Sequence, residues 1–490
     1  MRYRAKITAV FIFTFTFLPG VSWAETLLNA NIEDTYFYGN LESSRFASHA
    51  NQDIRPFSYW RAGQFVGDNE RVDFPGREDE NASGKLLSSI TTKLYVGNEE
   101  NSFIEGQSGL RLKKGTNLFL FEDGYYTYGD ELALYYQLKQ TVNEGNKQSQ
   151  ISRAYAKYRV GKFSLEAGKD NVSIGPGEYG GLLLSSNAEP YPLVKLATEE
   201  PLYLLGDWDL VIMNGWLRDD NTSVPNTQIL VVNVNYKPVE WLELGLTRVE
   251  HYGGDGRPGY TLDEYPLLLM GTNDNIPTSR FNNDGFFGYE VSLYLPLDLL
   301  SPGVRNAKIY FEEDGGDANI FWQDQLPGQE RSVFTLRQVS EMMGMFVAMD
   351  DDIFRLEYTK VCRDFYTHNV VGDYTYQGMS LGAPGGTNSR NLFFKHLHYF
   401  DSSTSLEYKI GAYEKPKFTN PWGAVENPLQ MTRYYLSIQP EKKFGRYVVQ
   451  AYLRYDKTQN YNTEFNPSAW NIVAEDKDLF IAGVSLRVNF

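Results

Sequence analysis

Disulfides, membrane helices and a basic surface are all missing from this chain. A single cysteine, Cys362, excludes an internal disulfide framework, so 490 residues must be held together by the fold itself. Beyond the first two dozen residues no stretch offers the roughly 18 consecutive apolar residues that a transmembrane helix needs, so any membrane span must be β. Basic residues are outnumbered, 46 Lys and Arg against 62 Asp and Glu, and a net charge of −16 makes nucleic acid a poor partner. Histidine is scarce as well. No nucleophile spacing around His49, His251, His368, His396 or His398 singles out a catalytic site, so the chain is not read as an enzyme.

At the N-terminus, Arg2, Arg4 and Lys6 precede an apolar run over 7–18, and Ser22, Trp23 and Ala24 follow it. This is the pattern of a secretory signal peptide over 1–24, cut after Ala24. Its loss removes three cations and no acid, taking the formal charge from −16 to −19.

What the chain has in quantity is aromatic residues, 35 Tyr and 30 Phe, in a sequence whose mean hydropathy is only −0.42. Many rings in a polar chain suit a barrel wall with aromatic girdles, and they also suit surfaces that stack on sugar rings. The last eleven residues favour the wall. Phe480, Ala482, Val484, Leu486, Val488 and Phe490 occupy alternate positions, opposite a mostly polar row of Ile481, Gly483, Ser485, Arg487 and Asn489. Such a period of two places one row in hydrocarbon and the other against water or polar groups. A terminal aromatic on this strand resembles the usual ending of outer-membrane barrels.

Strand-like segments recur from residue 84 to the end, among them 86–96, 131–139, 151–160, 163–168, 209–217, 229–236, 241–250, 287–295, 307–313, 353–361, 391–400, 405–413, 431–438 and 447–455. Tight turns at 160–162, 237–240, 401–403 and 441–443 alternate with long Gly-, Asn- and Asp-rich connections, the outer-membrane pattern with long loops outside the cell. A hairpin with one short turn and one long loop uses roughly 44 residues, so 84–490 holds about nine hairpins, or about 18 antiparallel strands. The predicted organisation is a signal peptide over 1–24, a periplasmic or lumen-associated segment over 25–83 with short helices within 38–50 and 55–65, and an all-β transmembrane barrel over 84–490. Such a barrel sits among outer-membrane lipid and lipopolysaccharide, and the barrel-assembly machinery would insert it.

One loop stands out. Gly175, Pro176, Gly177, Glu178, Tyr179, Gly180 and Gly181 lead into Leu182, Leu183 and Leu184, then Asn187 and Pro190. Glycines around a proline turn sharply, and three adjacent leucines need a core, so the loop is expected to fold inward and at least partly occlude the lumen.

This stretch is similar to one in the capsule assembly Wzi family, whose members carry a Gly-Pro-Gly segment, a small apolar run and an Ala-x-Pro exit. Three more stretches match in order: 241–258 with Gly271 to Asn275, the acidic 312–316 read as a loop, and the Gly-rich 378–386. The N-terminus departs from the family, lacking its Trp-Leu-x-Asp-Arg-Gly helix start. The resemblance implies a monomeric outer-membrane barrel of a Gram-negative cell that is lectin-like and holds capsular or extracellular polysaccharide at the cell surface. The different-class alternative is a diffusion porin or substrate-specific channel. The apolar runs 182–184 and 267–270 argue against it, since loops with their own cores tend to fill a lumen.

Glu178, Tyr179, Asn187, Asp255, Arg257 and Asn273 are the candidate polysaccharide contacts, because they combine hydrogen-bonding groups with a stacking ring in long loops. No cofactor is assigned. The acidic runs 312–317 and 350–352 do not fit EF-hand spacing and are read as solvated clusters in preference to sites for a divalent cation that bridges protein and sugar. His396 and His398 share a strand face and are read as polar lumen residues in preference to a metal half-site.

Overall fold

A computed structural model describes residues 27–29, 41–42, 53–59, 61–62, 83–99, 102–129, 131–219, 224–271, 279–296, 303–319, 335–368, 371–417, 429–466 and 471–490. The wall runs as β1 (Ser83–Gly97), β2 (Gly115–Tyr128), β3 (Leu132–Asn143), β4 (Asn146–Val160), β5 (Phe163–Asp170) and β6 (Tyr191–Thr198). It continues through β7 (Asp207–Leu217), β8 (Thr227–Val239), β9 (Leu242–Gly253), β10 (Asp284–Tyr294), β11 (Val304–Asn319) and β12 (Thr335–Met349). It ends with β13 (Asp352–Val361), β14 (Ser389–Asp401), β15 (Thr404–Lys415), β16 (Met431–Phe444), β17 (Tyr447–Asn466) and β18 (Asn471–Asn489). Each strand pairs antiparallel with its chain neighbours, and β18 returns to β1 from Ser89↔Asn489 to Gly97↔Ile481, closing an 18-stranded barrel. Closure leaves no free sheet edge, which is what a β-structure needs in hydrocarbon.

The alternation read in the last strand holds all round the wall. Leu134, Leu165, Leu246, Leu356, Ile410, Leu453 and Val484 point outward with exposures between 41% and 53%, while their sequence neighbours point in and are buried or half-buried. Phe480, Val484, Leu486 and Phe490 lie on the outer face, as their spacing predicts, and Ile481 and Ser485 face inward. Exposed Tyr128, Trp241, Phe400, Phe444, Tyr447 and Phe490 gather toward the rim of short turns. Such a ring of aromatics suits the headgroup level of a membrane.

Several local expectations need correcting. The turn expected at 441–443 falls at Gly445 and Arg446, because β16 carries its Lys-rich end into the strand; likewise β8 extends through Val239. Residues 312–316 are part of β11, not a loop: the alternation turns Glu312 and Asp314 into the lumen, where both are buried. The run 267–270 does not fill the lumen. It lies in α1 (Tyr265–Leu269) and at its end, and Leu268 packs on Leu230 and Tyr252 of the outer face. Strands β2, β6 and β12 carry weak signals, β6 being only eight residues long with Pro192 near its start.

The described pieces before β1, within 27–62, lie inside the barrel. Within the segments expected to be helical, Leu41, Glu42, Tyr59, Arg61 and Ala62 are helical, and the other residues of those segments lie mostly outside the described residues. Ile54–Arg55 forms a two-stranded ladder with Ser173–Ile174 of the β5–β6 loop.

Candidate functional site

Every second wall residue faces the lumen, and many of these are charged, a costly arrangement unless each charge finds a partner. The inserted segments supply partners. Asn29 Nδ2 donates to Glu166 and Asp170 at 2.9 Å each, and its Oδ1 accepts from Lys157 at 2.9 Å. Arg61 pairs with Asp209 at 3.1 Å, and Lys308 with Glu42 and Asp53 at 3.2 and 3.3 Å. Glu199, just past β6, accepts from Ser58 at 2.5 Å and Ser164 at 2.6 Å and pairs with Lys157 at 2.6 Å. Burial alone would raise the Glu199 carboxyl, but Lys157 and these hydroxyls hold it down at about 2.

The β5–β6 loop completes the insert. Gly175 and Gly180 take left-handed φ values of +129° and +110°, and a Cβ on Gly181 would sit 2.3 Å from the Ile174 carbonyl oxygen. Only glycine permits this tight path. It delivers Leu182, Leu183 and Leu184, all fully buried, into a core with inward-facing Leu193, Met213, Val231, Val249 and Phe286. A second loop, between β13 and β14, closes over them: Tyr366 and Tyr374 donate to the Leu182 and Leu183 carbonyls, the latter at 3.0 Å.

The six candidate contacts are dispersed. Glu178 is buried and ion-paired to Lys395, to Arg355 at 3.1 Å and to Lys409 at 3.9 Å. Burial opposes its charge, yet the three cations outweigh that and keep it well below the usual carboxylate range. Asn187 is buried too, its Nδ2 donating to the Ser380 carbonyl at 3.0 Å and so tying the two loops together. Asp255 and Arg257 sit on the β9–β10 loop, where Asp255 accepts from Asn226 at 3.0 Å and Arg257 donates to the Asn282 carbonyl. Asn273 lies outside the described residues.

Tyr179 alone of the six lines the large lumen cavity. This space of about 490 Å³ runs from the short-turn rim, at Lys85, Ser88, Gly445 and Phe490, inward to Tyr179. Its volume is that of a small-ligand site, roughly 300–1,000 Å³. Tyr59, Tyr125, Tyr135 and Tyr452 share the lining, and seven Lys and Arg side chains there face four Asp and Glu. Lys409 donates to the Tyr179 hydroxyl at 2.5 Å and also lies 4.6 Å from the ring centroid. At the inner end, Glu105 pairs with Arg454 and, at 3.4 Å, with Arg433. Burial would raise the Glu105 carboxyl, but Arg454 and then Arg433 lower it to about 2. Sequence reasoning missed Lys409, Arg454 and Glu105. Each is one polar residue on a strand or in the long 98–114 connection, and no local pattern tells a cavity-lining position from any other inward one.

The sequence pattern of the family described as capsule assembly protein Wzi matches residues 89–472, most of the barrel. This chain belongs to that family. Among solved structures it is similar to Wzi of Escherichia coli, an outer-membrane protein involved in group 1 capsule assembly and described as a carbohydrate-binding β-barrel. That likeness has a TM-score of 0.64 at 15% identity and covers 95% of this chain and 99% of the other. Pseudomonas aeruginosa OccK2, solved with glucuronate, aligns at a TM-score of 0.49 and 9% identity over 84% of this chain and 99% of its own. Pseudomonas aeruginosa OpdL aligns at 0.49 and 8% over 84% and 98%. No curated protein sequence matches. As a Wzi-family member with a closed barrel and an apolar outer belt, the chain is an outer-membrane β-barrel.

Proposed function

We propose that this protein is a lectin-like, non-enzymatic component of capsule assembly that holds capsular or extracellular polysaccharide at the cell surface. Family membership supports this, and so does the carbohydrate binding of Escherichia coli Wzi. The observation that carries it is the filled lumen. Loop 171–190 and the inserted N-terminal pieces are pinned by buried ion pairs, so protein blocks the lumen beyond the cavity at the short-turn rim, and the barrel presents surfaces to a ligand in place of a path for it. The long-loop rim faces outside, residues 1–24 are cleaved as a signal peptide after Ala24, and the barrel works as a monomer.

For sugar contact at the outer rim the geometry favours Asp255 and Arg257 on the β9–β10 loop, since the cavity that Tyr179 lines opens at the opposite, short-turn rim. Glu178 and Asn187 position the loop that carries Tyr179. In a capsulated strain, deleting the gene should move high-molecular-weight polysaccharide from cells to medium, and the wild-type gene should reverse this. Full retention of polysaccharide by the deletion strain would overturn the reading.

A further inference from the structure

The outer wall carries a cluster of donor side chains that the plugged lumen does not use. Asp352 opens β13, and the antiparallel register sets it opposite His398 of β14, with His396 one outward position further along. Their neighbours Ile353, Arg355, Leu397 and Tyr399 are buried inward, so the alternation turns Asp352, His396 and His398 outward. This corrects the reading of the two histidines as lumen residues.

His396 Nε2 and His398 Nδ1 lie 2.6 and 2.8 Å from the same Asp352 oxygen, and all three donor atoms fall within 4.8 Å of one another. The Tyr408 hydroxyl sits 2.6 Å from the remaining His396 nitrogen, Nδ1. Phe354 stacks on the His396 ring at 4.4 Å, and Phe400 meets His398 edge-on at 4.6 Å. The cluster is held but not sealed: its side chains are 15% to 34% exposed.

We propose that Asp352, His396 and His398 bind a divalent metal ion of the zinc class on the outer wall near the short-turn rim. Two imidazoles and a carboxylate are the donors that zinc prefers, whereas calcium and magnesium need six or more oxygens. Three protein ligands leave a fourth position open to solvent. Zinc held about 2.0–2.2 Å from each donor would set the donors roughly 3.3 Å apart, so the two carboxylate–imidazole spacings of 2.6 and 2.8 Å have to open by about 0.5–0.7 Å. On binding metal, His396 Nε2 would give up the proton that it shares with Asp352, and the Tyr408 hydroxyl would accept from Nδ1–H, the usual arrangement of an outer hydrogen bond behind a ligating histidine. Bound metal would tie β13 to β14 where the wall meets the headgroup layer.

The test uses the full, untagged barrel in detergent, stripped of metal and titrated with Zn²⁺ by calorimetry and with Co²⁺ by visible absorption. One equivalent of Zn²⁺ should bind, and Co²⁺ should develop the intense bands of a four-coordinate site. The double variant His396→Ala/His398→Ala and Asp352→Asn should lose that equivalent, and Tyr408→Phe should weaken it about 10- to 100-fold. Heat-modifiable gel migration confirms that each variant is folded. Absence of Zn²⁺ binding by the wild type, or unchanged stoichiometry and affinity in the folded double variant, would overturn the proposal. A Co²⁺ spectrum that stays that of the aquo ion would do the same.

Discussion

Glu178 shows how a side chain's surroundings decide its role. Its charge sits among Lys395, Arg355 and Lys409 in a buried pocket, where removing one partner leaves the others uncompensated. Glu178→Ala is expected to destabilise the docked loop by about 3–5 kcal/mol. Hydrogen exchange over 171–190 should rise accordingly while the barrel strands stay protected. Glu105 and Glu199 give the lumen a pH dependence. Both are held at about 2 in the folded protein against an ordinary value of 4.5, so their stabilisation is complete above about pH 4.5 and drains away as pH falls toward 2. The near-ultraviolet circular dichroism of the buried tyrosines should therefore hold from pH 7 to about 4.5 and decline between there and pH 2. A signal flat down to pH 2 would contradict this.

At the scale of elements, the two inward loops act as one unit because their backbones touch. Gly382 lies so close to Leu182 that an added Cβ would be 1.9 Å from its carbonyl oxygen and 2.4 Å from the Tyr366 hydroxyl. Gly382→Ala should thus undock the β13–β14 loop from the leucine core, and protease cleavage within 362–388 should quicken without unfolding the wall. The wall answers to different physics. Leu356 faces outward in the middle of β13, and Leu356→Arg should cost roughly 2–4 kcal/mol in denaturant titrations of folding into lipid vesicles, the penalty of a cation at membrane depth.

For the whole molecule, the contest is between a filled barrel and a channel. The buried core of loop 171–190 and the ion pairs to the N-terminal pieces predict little or no steady conductance for the wild type in planar bilayers. Replacing 174–188 with a short Gly-Ser link should open a measurable current. Large stable currents from the unmodified protein would favour the channel.

The barrel was legible in the sequence because a period of two is a local property: the row ending at Phe490 needs only its own alternation to declare an outer and an inner face. Strand number followed from length, and the buried fate of Leu182 to Leu184 followed from three adjacent apolar side chains that a surface loop has no use for. What tertiary structure alone decided is which polar residue meets which. Glu178 looked available to a ligand until folding brought in Lys395 and Lys409, more than 200 positions away in sequence. Strand register set His396 and His398 against Asp352. Charge pairing and register are long-range outcomes of closing the sheet, and no window of sequence short enough to read by pattern contains them.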